Sequence, residues 1–86
     1  MTIKEAAQKE QKRLAEIFSE LEIVNKGEDF YSFAQNYFND GKYFFEKKKY
    51  IEAFEAFVIS WAYLDIGIKL KMFIPTLKIK KYFTVD

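Results

Sequence analysis

Apolar residues recur along this chain at helical spacing in three successive stretches. In the first, Ile3, Ala7, Leu14, Ile17/Phe18, Leu21 and Val24 share a stripe, which predicts a helix over about 3–25. Polar residues at 8–13 (QKEQKR) interrupt that stripe, so its first two turns are expected to project into solvent or fray. Thr2-Ile3-Lys4-Glu5 fits a capping box, in which the Thr2 hydroxyl accepts from the Glu5 amide and the Glu5 carboxylate accepts from the Thr2 amide. NKGED closes the segment, with Gly27 suited to a left-handed position just past the helix.

The second stretch, about 29–47, is the most strongly patterned: Phe30, Phe33/Ala34, Tyr37/Phe38, Gly41 and Phe44/Phe45 fall on one face. EKKK then supplies a cationic helix end and a turn short enough to send the next helix back antiparallel. That third helix, about 50–72, carries a stripe of Tyr50, Ala53/Phe54, Phe57, Trp61, Leu64 and Ile68 and a second row of Ile51, Val58, Ala62 and Ile66. A helix apolar around most of its circumference is the central element of a bundle or has an external partner. Pro75 halts helical structure and biases its predecessor toward extended backbone. The fold expected is all-α, an antiparallel up-down-up three-helix bundle over 1–74 followed by an extended basic and aromatic tail over 75–86. A strand at 77–85 would lack a visible partner.

Composition narrows the chemistry. Eighty-six residues suffice for one hydrophobic core. Half are hydrophobic and a fifth aromatic, too apolar for a disordered chain. No apolar run reaches membrane-spanning length, and the charged N-terminal segment does not read as a secretory signal, so a cytoplasmic protein without membrane contact is expected. Cysteine and histidine are both absent, which removes thiolate nucleophiles, disulfides, thiolate metal sites and imidazole bases. The three serines (Ser19, Ser32, Ser60) lie outside any nucleophile-elbow motif, and three scattered glycines cannot cradle a phosphate. Carboxylates and lysines are the catalytic groups left, so the expectation is a non-enzyme with no cofactor and no metal.

Charge is unevenly placed. Residues 1–65 hold nine basic and twelve acidic side chains, whereas residues 66–86 hold five lysines and one aspartate. Thirteen lysines against one arginine argue against direct sequence-specific reading of nucleic acid.

Tyr37-x-x-Asp40-Gly41-x-x-Phe44 and Tyr50-x-x-Ala53-x-x-x-Phe57 resemble a single tetratricopeptide unit, with Asp40 replacing the usual Leu and Asp65 the closing Pro. The same region, residues 37–73, resembles the archaeal family known as domain of unknown function 357. The resemblance is carried by Tyr37, Asp40, Tyr43–Phe44, Tyr50, Ala53, Leu64, Asp65 and Gly67; Tyr63 stands where that family tends to have Trp, and Ile66 where it favours Ala. It implies a three-helix bundle from an archaeon and no known activity. Asp40 and Asp65 are its singular polar residues. They are expected to be structural, accepting hydrogen bonds from a tyrosine or lysine; a paired-carboxylate site is the sharper alternative. Trp61 lies on the main stripe and is expected in the core, whereas Tyr63 lies off it and is a candidate interface residue.

The tail invites a separate reading. Ile79, Tyr82 and Phe83 match the three apolar positions of sliding-clamp ligands, with Thr76 replacing the usual Gln. One short helical turn would bring them to one side, ready for a partner's pocket, while Lys78, Lys80 and Lys81 steer toward an acidic surface. Equally, the alternation Leu77, Ile79, Phe83, Val85 fits a tail folded back over the third helix. In size, helical class and lack of histidine the chain also resembles small DNA-polymerase-binding accessory proteins of crenarchaea. The functional expectation is therefore a protein-interaction subunit of an archaeal replication assembly that binds a DNA polymerase or sliding clamp. Alternatives are a scaffold that self-associates through helix 3, a tetratricopeptide-like adaptor, and, least favoured, a carboxylate enzyme.

Overall fold

A computed structural model describes residues 1–83. Three long helices, α1 (Ile3–Ser19), α2 (Glu28–Glu46) and α3 (Tyr50–Lys69), make up most of the chain. Two three-residue strands, β1 (Leu21–Ile23) and β2 (Phe73–Pro75), and a 3-10 turn, η1 (Leu77–Tyr82), are the other elements among the described residues.

Helix α1 begins on the expected capping box, with both reciprocal bonds in place at 3.0 and 3.1 Å. It is unbroken through 8–13, because Glu10 and Arg13 lie half-buried toward α3 and pair with each other at 2.8 Å. The helix ends at Ser19, short of the expected 25. Leu21–Ile23 instead extends and pairs antiparallel with Phe73–Pro75, in the register Leu21↔Pro75, Glu22↔Ile74 and Ile23↔Phe73. A strand partner therefore exists, between α1 and α2, for a strand that precedes the tail. Pro75, which donates no hydrogen bond, sits at the last position of its strand.

The left-handed residues between β1 and α2 are Asn25 (φ 50°) and Lys26 (φ 63°), not Gly27. Gly27 is the N-cap of α2 at φ −78° and is required for space: a methyl there would fall 2.6 Å from the Met72 carbonyl oxygen. Asn25 Nδ2 donates to the Lys71 carbonyl at 2.7 Å, fastening the same crossing.

The three-residue link Lys47–Lys49 returns α3 along α2. Their approach is set by small residues, for Gly41 lies directly against the Phe57 ring. Further along, the buried Ser60 hydroxyl donates to the Ala34 carbonyl at 2.7 Å. α3 also packs along α1, which places it at the centre of the helices, as its wide apolar circumference requires. Leu14, Ile17, Phe57, Leu64, Phe73 and Ile79 are fully or almost fully buried at the core. No helix among the described residues is long and apolar enough to cross a membrane.

The tail is the main departure from expectation. Residues 77–82 coil into η1 and dock on the helices instead of extending outward. Ile79 is completely buried and Phe83 is 8% exposed, stacked on Trp61 with ring centroids 5.8 Å apart. The folded-back arrangement thus accounts for Leu77, Ile79 and Phe83, with Leu77 left outside; Val85 lies beyond the described residues.

Candidate functional site

The residues expected to reach a partner from the tail are already engaged within the protein. Ile79 and Phe83 are core residues. Tyr82 is held by three contacts: its hydroxyl donates to Glu16 Oε2 at 2.9 Å, its carbonyl accepts from Trp61 Nε1 at 3.0 Å, and Arg13 lies 5.2 Å from its ring centroid. The hydrogen bond to the Glu16 carboxylate, reinforced by burial and the nearby negative charge, raises the Tyr82 phenol above its ordinary value; Arg13 opposes this less strongly. Ile79, Tyr82 and Phe83 thus form an intramolecular plug in this structure. The signal that could have found its receptor was the polar break in the first stripe, since Arg13 within it and Glu16 just beyond it both touch Tyr82.

Lys80 and Lys81 remain exposed, with Lys81 5.2 Å from the Tyr82 ring, and Lys78 approaches Glu20 at 3.9 Å. Tyr63 is also committed internally. It is half-buried between Phe30, Phe33 and Tyr37, at ring-centroid distances of 5.7–5.9 Å. A position off the main stripe of α3 turns out to face α2, because α2 presents an aromatic row of its own.

Asp40 and Asp65 are not brought together. Asp40 borders a shallow cleft with Tyr37, Glu52, Glu55 and Ile59, whereas Asp65 lies more than a turn further along α3 and pairs with Lys69 at 2.9 Å. That pair lies within one helix and does not fix helix docking. Among the described residues no cluster of three or more acidic side chains could hold a metal ion.

What the fold leaves open is the outer face of α3. Its inner side buries Ala53, Ala56, Phe57, Ser60, Leu64 and Gly67. On the side turned to solvent, Ile51, Val58, Ile59, Ile66 and Leu70 are each between 40 and 61% exposed. Scattered exposed apolar residues are ordinary on a protein surface. Five aliphatic residues grouped along one helix and its C-cap make the kind of patch that marks a contact surface. Half-buried Ala62 lies at its middle, and Glu55 and Lys69 interrupt it on either side.

Fold and surface together define a small helical protein that presents an apolar helix face. The chain belongs to the family described as protein of unknown function DUF357, whose model matches residues 4–73. It is similar to protein AF1782 from Archaeoglobus fulgidus, a member of the same family with a crystal structure. The two are 31% identical with a TM-score of 0.78, over 86% of this chain and 93% of that one. No curated protein sequence matches the chain.

Proposed function

We propose that this protein is a non-catalytic interaction module, an up-down-up three-helix bundle of the cytoplasm that docks onto another protein surface through the outer face of α3. The observation that carries this reading is the aliphatic stripe Ile51, Val58, Ile59, Ile66 and Leu70, left in water by a helix whose opposite side is fully buried. An accessory role on an archaeal DNA polymerase or sliding clamp is a more specific form of the same reading. Its contact belongs on α3, because an anchor of Ile79, Tyr82 and Phe83 would have to strip Phe83 from Trp61 and expose the core.

Photo-crosslinking tests the surface. A benzophenone side chain at Ile59 is expected to give discrete adducts that a further Val58→Lys/Ile66→Lys change in the same chain removes, and one at Ile66 is expected to give adducts as well. The same probe at Lys9, exposed on α1, is expected to give none. Identical adducts from Lys9, or no adducts from the α3 positions, overturn the reading.

A further inference from the structure

We infer that the occupant of the α3 face is a second copy of this chain, docked antiparallel with a two-fold axis at Ala62. The inference rests on the α3 docking reading above and adds the partner. Along the outermost line of α3, Glu55, Val58, Ala62, Ile66 and Lys69 follow one another at steps of three, four, four and three residues. This order is palindromic in spacing and complementary in charge. An isologous two-fold interface demands that property, since residue i must suit residue j when each meets the other.

Turning one copy antiparallel about Ala62 places Glu55 level with the partner's Lys69, and Lys69 level with the partner's Glu55. The same operation sets Val58 level with the partner's Ile66. The smallest side chain of the line falls on the axis, where two backbones approach most closely. The charges at the two ends are therefore of opposite sign in this register, whereas a parallel pairing in register would oppose like charges.

Lys69 already bonds Asp65 of its own helix at 2.9 Å, yet its side chain is 61% exposed. An ammonium group has three donors, so a second carboxylate can share it.

Because the chain contains no cysteine, single cysteines report the register cleanly. Under oxidation the full-length Ala62→Cys protein is expected to form a covalent dimer rapidly, and a Lys9→Cys control is not. In sedimentation equilibrium, Glu55→Lys and Lys69→Glu are each expected to weaken association by roughly threefold to tenfold, as two attractive pairs become two repulsive ones. The double exchange restores it, and the two single variants mixed together prefer each other. Circular dichroism identical to wild type is the check that each exposed substitution leaves the helices intact.

A chain that stays monomeric to high micromolar concentration, with no Ala62→Cys dimer, overturns the second-copy inference. If Ile59 then crosslinks to a different protein, such as a polymerase or clamp, the docking reading stands without it. If nothing crosslinks, both fall. A dimer unaffected by either charge exchange overturns the proposed register.

Discussion

Tyr82 shows how one side chain can carry three kinds of interaction at once. Its ring receives Arg13, its hydroxyl serves Glu16 and its carbonyl serves Trp61. The neutral phenol is the form that donates to the carboxylate, so folding raises its pKa above the unfolded value of about 10. By linkage, this contribution is fully present below the unfolded pKa and disappears as pH rises through the higher folded one. Absorbance titration of the folded protein is expected to show a tyrosine component that ionises above the ordinary phenol value. Tyr82→Phe should remove that late component, and Glu16→Gln should shift it down. An unchanged titration curve in both variants would mean that this hydrogen bond does not persist in solution.

Among the elements, α2 and α3 form the tightest pair, and its geometry depends on the absence of a side chain. A methyl at Gly41 would fall on the Phe57 ring, which is fully buried and cannot swing aside. Although alanine favours helix, Gly41→Ala is expected to lower stability by ~1–3 kcal/mol through overpacking, read as a reduced midpoint in urea unfolding. A combined Gly41→Ala/Phe57→Leu variant should recover part of the loss. This contact was legible in the sequence, because a lone glycine on the apolar stripe of a helix sacrifices helix propensity and marks where a neighbouring element comes close. The helices, the capping box and the sharp turn at Lys47–Lys49 were legible for a related reason, since local spacing determines them.

The strand pair was not legible. Leu21, Glu22 and Ile23 continue the α1 stripe as readily as they form a strand, and three residues carry no resolvable period. Only pairing with Phe73–Pro75, far away in sequence, settles their backbone. Gly27 was misplaced by one kind of constraint for another, being needed for space and not for left-handed backbone. The candidate surface divided in the same way: the second apolar row of α3 allowed either a central place in the bundle or an external partner, and the row could not say that Tyr63 would be taken by α2.

At the scale of the whole molecule, the 3-10 turn completes the core that the helices leave unfinished. Ile79 lies in the same buried cluster as Leu14, Ile17 and Leu64. Ile79→Ala is therefore expected to cost about 2–5 kcal/mol of global stability, a core penalty and not a tail penalty. Trp61 is the only tryptophan and stacks on Phe83, so its emission reports docking of the turn. Thermal transitions followed by Trp61 fluorescence and by far-ultraviolet circular dichroism should coincide, as expected of a small domain that unfolds as one unit. A fluorescence change well below the helical transition would instead make the turn an independently detachable part.

The clasp between β1 and β2 has a consequence for the order in which the structure assembles. α2 and α3 meet across a three-residue link, whereas the clasp joins residues that only the intervening helices can bring near. Closing so long a loop costs entropy that grows with its length, and an isolated pair of short strands is marginal in water. The clasp is therefore expected to form late in folding, once the helical pair has brought its two strands together. With Gly27 seated against Met72 beneath it, it works as a latch, fastening the start of α2 to the segment that follows α3 once both are in position.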